Sequence, residues 1–314
     1  MGPIVLSTDA SSYFAQRVTE QLPSSEIVSI TRKNFGGGER YLRFNIHDDR
    51  MAFLGRDVIV VGSTPNDSDL AEICRIGSAV AKYGAHRVIY AIPFFGYSTM
   101  ERAVKAGEIV TAKICARQLS QLPHGDNRNC FFLLDLHTPG LEHYFEGDCM
   151  RFQLYAETVL IDAIEKLGLS DFMFGSADLG RPIWVETFAK KFGTSLAFVR
   201  KSRSFETTQV ETVIGDVAGQ TVIIYDDMIR SAKTLIHAAD AYIEQGASAI
   251  YAVASHLAFD DEAAIDRLED SVIRMVIGTN SHPMSQHHKV VNSSKFVVED
   301  VSHRFVDAIQ RILN

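Results

Sequence analysis

Two adjacent acids at the end of an apolar run are the most chemically informative feature of this chain. They lie in Thr221-Val-Ile-Ile-Tyr-Asp-Asp-Met-Ile-Arg-Ser-Ala-Lys-Thr234. Val222–Tyr225 is short, apolar and rich in β-branched residues, the pattern of a strand buried on both faces of a parallel sheet. That reading puts Asp226 and Asp227 at the strand's carboxyl end. Open α/β sheets collect ligands at this edge, where helix N-termini direct unpaired N–H groups outward. Carboxylates there can accept hydrogen bonds from vicinal sugar hydroxyls or hold a divalent metal. Ser231 and Thr234 are expected as caps and hydroxyl donors for a helix running through Leu235 to Gln245, whose positive dipole end favours a phosphate. Arg230 and Lys233 add two cations. The pattern predicts a site for a phosphorylated sugar. Taken alone, it suits equally well two acids that end a strand and a serine that caps a helix.

Other reactive side chains also fall at strand ends. In Cys130-Phe-Phe-Leu-Leu-Asp-Leu-His137, Asp135 and His137 follow an apolar run, and Phe174-Gly-Ser-Ala-Asp-Leu-Gly-Arg181 does the same for Asp178. A histidine and a carboxylate from strand ends suit Mg²⁺ or its bound water, although a lone histidine in such a place is more often hydrogen-bonded structure. Lys201 and Arg203 follow the run Leu196–Val199 two residues apart, so in an extended segment both cations share a face and can address one phosphate group. A charged, solvated strand edge would give the same pattern. His287 and His288 are adjacent and would point apart on a strand, a poor metal pair.

The elements that must position these residues alternate strand and helix. Apolar runs at 58–61, 88–92, 131–134, 172–174, 196–199, 222–225, 249–254 and 275–277 predict an α/β chain with parallel sheets. A weak internal repeat underlies them. Gly55-Arg-Asp-Val-Ile-Val-Val-Gly-Ser-Thr64, a helical stretch, then Tyr83-Gly-Ala-His-Arg-Val-Ile-Tyr-Ala-Ile92 parallels Gly219–Met228, a helical stretch, and Gln245–Val253. Two similar domains are expected, with the acidic pair replaced by Gly62 and Ser63 in the first copy. Length agrees, since 314 residues exceed one typical domain.

Composition narrows the class further. A hydrophobic fraction of 46% with 8 prolines suits a globular protein with a sizeable core. No apolar run approaches a membrane span and the first residues lack a basic secretory start, so a cytoplasmic protein without membrane association is expected. A net charge of −8 argues against nucleic acid as a partner while leaving room for a local phosphate pocket. Cys74, Cys115, Cys130 and Cys149 lack metal spacing and are expected as reduced core residues.

Taken in order, these segments resemble the ribose-phosphate pyrophosphokinases, or phosphoribosyl-pyrophosphate synthetases. The likeness runs through Asn34-Phe-Gly-Gly-Gly-Glu39, Pro93-Phe-Phe-Gly-Tyr97, Asp135-Leu-His137 and Ala177-Asp-Leu-Gly180, then Lys201-Ser-Arg203, Ile214-Gly-Asp216, Tyr225-Asp-Asp-Met-Ile229 and Gly278-Thr-Asn280. The resemblance implies two domains of the phosphoribosyltransferase type, each a mostly parallel sheet flanked by helices. Residues 1–152 would form the nucleotide side, with 302–314 a candidate closing helix, and 153–301 the sugar-phosphate side. It implies transfer of the diphosphoryl group of ATP, with Mg²⁺, to the anomeric hydroxyl of ribose 5-phosphate by a homo-oligomer, dimer or hexamer.

By the same resemblance Asp226 and Asp227 engage the ribose, and Arg230, Ser231, Ala232, Lys233 and Thr234 wrap its 5-phosphate. His137 and Asp178 bind or orient the metal, and Lys201 and Arg203 are catalytic. Phe35, Glu39, Thr99, Met100, Glu101 and Arg102 hold the nucleotide. Three positions depart from the common pattern: Thr99-Met100 stands where relatives carry Arg-Gln, Gly37 replaces an Asp, and Lys233 replaces a glycine. With Lys-Ser-Arg and Arg-Ser, the first departure looks like the plant-type class II subgroup, which accepts several nucleoside triphosphates. A glycine at 233 would suggest a positive φ there. The alternative reading is a catalytically silent homologue that assembles with active subunits and regulates them.

Overall fold

The computed structural model describes residues 2–47, 49–177, 182–203 and 209–313. The chain folds into two compact units, residues 1–155 together with 301–314, and residues 156–300. In chain order the first unit opens with β1 (Ile4–Ser7), α1 (Ser12–Gln21), β2 (Glu26–Ile27), and a hairpin of β3 (Ile30–Asn34) and β4 (Arg40–Phe44). It continues with β5 (Asp57–Val61), α2 (Asp67–Lys82), β6 (Arg87–Ile92), α3 (Thr111–Ser120), β7 (Asn129–Leu134) and β8 (Cys149–Leu154). The second unit contains α4 (Glu157–Glu165), β9 (Phe172–Ser176), α5 (Pro182–Phe192), β10 (Leu196–Arg203), β11 (Gln209–Ile214) and β12 (Thr221–Met228). It ends with α6 (Lys233–Glu244), β13 (Ala249–His256), α7 (Glu262–Glu269), β14 (Ile273–Thr279), α8 (His288–Val291) and β15 (Phe296–Glu299), after which α9 (Ser302–Leu313) belongs again to the first unit.

Each unit is built on a sheet. The first has six strands in the order β2-β1-β5-β6-β7-β8, all parallel. The second has seven, β11-β10-β9-β12-β13-β14-β15, parallel except for the β10–β11 pair. The central strands are apolar throughout because helices cover both faces: Val58–Val61 and Val222–Ile224 are each 0% exposed. Every run predicted as a strand lies in one. The fold class is therefore as expected, α/β with parallel sheets flanked by helices.

The repeat is visible as β5-α2-β6 and β12-α6-β13. Gly62 follows the first of these strands, where a Cβ would lie 2.8 Å from Thr8 Cγ2 and 3.0 Å from Ile73 Cδ1. A side chain there would require the Thr8 or Ile73 side chain to shift, so packing disfavours an aspartate at this position of the first copy. Helix α9 closes onto α1, with the Phe14 and Phe305 rings edge to face at 5.4 Å and Gln21 Nε2 donating to Ser302 Oγ at 2.8 Å. The four cysteines are free, Cys115 and Cys130 buried and Cys74 and Cys149 half-buried. Burial pushes the Cys115 thiol up to about 11 and Cys130 up to about 12, which keeps both protonated and unreactive at neutral pH.

Candidate active site

The strand order of the second unit locates its ligand edge. From β9 the chain goes outward to β10 and β11, then returns to lay β12 on the other side of β9, which makes β9/β12 the switch point where neighbouring connections diverge. Ligands of open α/β sheets bind in the crevice this creates beyond the strands' carboxyl ends. Tyr225 is in register with Ser176, the last residue of β9, so Asp226 and Asp227 lie at the mouth of that crevice. Strand β12 runs further than predicted and includes both acids. Consecutive residues of a strand face opposite ways, which gives the acids different settings. Asp226 is half-exposed and its Oδ1 accepts the Asp227 N–H at 2.9 Å, while Asp227 is only 5% exposed.

The loop to α6 is held by neighbouring strands and helices. Ile229 N–H donates to the His256 carbonyl at 3.0 Å, Arg230 Nε to Asp260 Oδ1 at 3.1 Å, and Arg267 Nε and Nη2 both to the Ser231 carbonyl, at 3.1 and 2.9 Å. Helix α6 begins earlier than expected, at Lys233, and its cap residue is Ala232 rather than Ser231 or Thr234, with no side-chain cap bond. Ala232 has φ +63°, so the left-handed position expected at 233 falls one residue earlier, on a residue whose small methyl is buried in the core. Lys233 and Thr234 are exposed in the first helical turn, whose amides have no intrahelical acceptor. The structure thus joins Asp226, Arg230, Ser231, Ala232, Lys233 and Thr234 into one cradle of a carboxylate, cations and helix N–H groups.

Lys201 and Arg203 lie where β10 has left β9 and pairs only with β11, Lys201 opposite Glu211 and Arg203 opposite Gln209. The extended backbone expected there is present. Asp178 lies outside the described residues.

The first unit carries the remaining predicted residues. Phe35 and Glu39 flank the tip of the β3–β4 hairpin, where Phe35 N–H donates to the Glu39 carbonyl at 2.8 Å and both side chains are exposed. Gly37 and Gly38 turn the tip with φ of +85° and +87°, so glycine at 37 serves the turn. The hairpin base is locked by Glu72, whose fully buried carboxylate lies 2.8 Å from Arg32 Nε and 2.8 Å from Arg40 Nη2 and accepts the Asp9 N–H at 3.1 Å.

Beyond β6, Gly96 permits a tight approach to the Thr64 carbonyl that a Cβ would obstruct, and its N–H donates to Thr64 Oγ1 at 3.0 Å. Tyr97 then adopts φ +59° and donates its hydroxyl to Asp67 Oδ1 at 2.5 Å; that bond to a carboxylate raises its pKa to about 12. Thr99 and Met100 follow exposed, Glu101 half-buried and Arg102 exposed, with Glu101 and Arg102 3.6 Å apart. Asp135 leaves β7 with φ +37°, and half-buried His137 leads into a 3-10 turn, Pro139–Tyr144, whose Tyr144 hydroxyl donates to the Glu101 carbonyl at 2.7 Å. The Ser98–Arg102 and His137–Tyr144 segments are therefore one grouping. His287 and His288 do not lie on a strand: they open α8 with rings 4.4 Å apart, His287 Nε2 lying 3.2 Å from Glu262 Oε1.

Among the described residues five non-glycine positions have positive φ, and three of them, Tyr97, Asp135 and Ala232, immediately follow or closely succeed sheet strands at their carboxyl ends. Backbone strain of this kind concentrates at functional sites. Tyr97, Glu72 and Arg267 are structural supports that local sequence pattern does not single out; a glutamate inside the apolar face of a helix is the one signal that points to Glu72.

Comparison with known proteins agrees with this geometry. Residues 4–122 match the model for the N-terminal domain of ribose phosphate pyrophosphokinase, and residues 198–314 that for the phosphoribosyl synthetase-associated domain. A ribose-phosphate pyrophosphokinase of Chromobacterium violaceum is 33% identical over 264 residues, covering 83% of this chain and 78% of that protein. The chain belongs to the ribose-phosphate pyrophosphokinase family. Another member, from Vibrio parahaemolyticus, is 31% identical over 311 residues, 98% of this chain and 94% of its own. A phosphoribosylpyrophosphate synthetase from Mycobacterium smegmatis superposes with a TM-score of 0.86 at 25% identity, over 100% of this chain and 99% of that one. Among the described residues no helix is long and apolar enough to cross a membrane.

Proposed function

We propose that this chain transfers the β,γ-diphosphoryl group of ATP to the anomeric hydroxyl of ribose 5-phosphate, giving 5-phosphoribosyl 1-diphosphate and AMP. The observation that carries the reading is the Asp226–Thr234 cradle at the β9/β12 switch point of a chain in this family. Asp226 is the accessible acid and accepts from the sugar hydroxyls, while Asp227 fixes the strand end. The free amides and dipole of α6, with Arg230 and Lys233, take the 5-phosphate. In the reaction the anomeric oxygen forms a bond to the β-phosphorus, the bond from that phosphorus to the oxygen of the α-phosphate breaks, and the hydroxyl proton is released.

Such transfers need alignment and charge neutralisation more than covalent help. Lys201 and Arg203 take the role of stabilising the moving group. Phe35, Glu39 and the Thr99–Arg102 segment hold the nucleotide, with residues 1–152 as nucleotide side and 153–301 as sugar side. Among the described residues no three His, Cys, Asp or Glu side chains gather into a metal cage. Magnesium needs none, since it prefers oxygen and completes its shell with waters and substrate phosphates. His137 and Asp178 fit that sparse role; bound with the nucleotide, Mg²⁺ would supply neutralisation of phosphate charge. The enzyme is read as a cytoplasmic homo-oligomer, dimer or hexamer.

The silent-regulator alternative is not favoured, since the relatives named above carry the enzyme's name and match over most of the chain. The Thr99-Met100 variant, together with Lys201-Ser-Arg203 and Arg230-Ser231, supports the finer class II reading, with a relaxed donor preference. The test is release of AMP dependent on ribose 5-phosphate and Mg²⁺, with ATP, GTP and CTP as donors. AMP from ATP supports the reaction, and sugar-phosphate binding without AMP supports the silent regulator. Turnover with GTP and CTP supports class II, and strict ATP dependence removes it.

A further inference from the structure

One cavity of the first unit has a charged lining of a single sign. It lies between β4 and α2, has a volume of about 280 Å³, and takes its charges from Arg40, Arg43 and Arg75 over an apolar floor of Leu42, Phe44 and Ile76. The chain has 39 acidic and 31 basic residues, yet among the described residues no carboxylate lines this space. Arg40 is held in place from behind, its Nη2 2.8 Å from the buried Glu72 and 3.5 Å from Asp9, so its guanidinium is oriented in advance. Arg43 and Arg75 are different. Both are exposed, and among the described residues neither makes an ion pair.

Two guanidiniums without counter-charges and a third fixed by a buried acid form a set of planar forks matched to phosphate oxygens. A purely ionic surface patch would have no use for the floor. Phe44 and Ile76 are half-buried and buried, and together with Leu42 they offer an aromatic edge and aliphatic surface under the charges. The volume lies just below the usual range of ligand pockets, roughly 300–1,000 Å³, which restricts the occupant to a compact molecule.

We propose that this cavity binds a small organic phosphate, with its phosphate on Arg40, Arg43 and Arg75 and an apolar body on the Leu42–Phe44–Ile76 floor. The site is separate from the residues assigned to the reaction and does not rest on that assignment. Its position beside β4 places it at the base of the hairpin that carries Phe35 and Glu39.

Phenyl phosphate and inorganic phosphate serve as probes, titrated calorimetrically without other phosphates into the full chain and into the Arg43→Gln/Arg75→Gln double variant, so that the difference between the two reports on this cavity rather than on the α6 cradle. Phenyl phosphate should bind, inorganic phosphate should bind more weakly for want of a body, and Arg43→Gln with Arg75→Gln should lower phenyl phosphate affinity by roughly tenfold or more, as expected for lost charge-assisted contacts. Both arginines are exposed, so the double variant should keep its thermal midpoint, which is measured alongside. No binding of phenyl phosphate, equal affinity for the two probes, or binding unchanged in the double variant would each overturn the proposal. Ribose 5-phosphate is titrated separately into the double variant, where the α6 cradle is intact: no binding there undoes the sugar-phosphate reading and leaves this proposal standing, so the two failures are distinguishable.

Discussion

Exchanging Glu72 for glutamine should loosen the nucleotide hairpin without touching a substrate. The side chain is fully buried and meets Arg32 and Arg40, each at 2.8 Å, while Arg32 also donates to the Ser7 carbonyl at 2.6 Å. Breaking a buried ion pair by removing one charge costs about 3–5 kcal/mol. Two features lower that figure here. Glutamine keeps the shape and one acceptor, and Asp9, 3.9 Å from Arg32 and 3.5 Å from Arg40, supplies a second, exposed counter-charge. A loss of about 2–3 kcal/mol follows, which for a unit of this size corresponds to a fall of roughly 4–12 °C in its thermal midpoint. The tip residues Phe35 and Glu39 depend on this base for their position. Glu72→Gln should therefore raise KM for ATP by about tenfold while kcat changes little, because a mispositioned binding element loses roughly 1.4 kcal/mol of uniform binding rather than transition-state contact. Differential scanning calorimetry and steady-state kinetics check both effects. A midpoint within about 1 °C of the parent with an unaltered KM would refute the anchoring role.

Other perturbations address the second unit. Lys201→Ala and Arg203→Ala should each lower turnover by ~10²–10³-fold with a smaller effect on sugar-phosphate affinity, measured as a kcat and KM split; full turnover in either would remove its catalytic assignment. Lys233 lies in a helical turn rather than in a left-handed conformation, so its ammonium is free to serve the phosphate. Lys233→Gly should raise KM for ribose 5-phosphate by roughly five- to tenfold, and a gain in activity would contradict this. Burial, reinforced by neighbouring His256, lowers the His282 pKa to about 3. Because the folded value lies below the unfolded value of about 6.5, this contribution to stability is present above about pH 6.5 and is lost as the pH falls toward about 3. It amounts to about 2 kcal/mol by about pH 5. His282→Asn keeps an acceptor for the Met284 N–H, now at 3.1 Å, and should flatten the acid limb of urea midpoints against pH.

What can be read from the sequence follows from burial. Val58–Val61 and Val222–Tyr225 stand out because strands covered on both faces are continuously apolar, and the acids that end the second run then mark the ligand edge. The β3–β4 hairpin does not read as strands because Ile30–Asn34 and Arg40–Phe44 each carry two charged residues and are mostly half-buried or exposed, and β8, Cys149–Leu154, is a half-buried edge strand with mixed character. The helix start at Lys233 is hidden for a different reason. Ser231 is the better cap by residue type, but the backbone turns at Ala232, and the Ser231 carbonyl is claimed by Arg267 from a helix distant in sequence. Strand order, and with it the β9/β12 switch point, is a property of pairing that local pattern does not contain. The Glu72 anchor is likewise made by partners from β3 and β4 that no local spacing connects.

Following phosphorus by NMR tests the central claim most directly. With ATP, Mg²⁺ and ribose 5-phosphate, the proposed reaction predicts a new diphosphate signal coupled to the sugar's anomeric position, growing in step with AMP and with no ADP. ADP with a singly phosphorylated anomeric carbon, or no new phosphorus signal although ribose 5-phosphate binds, would contradict it.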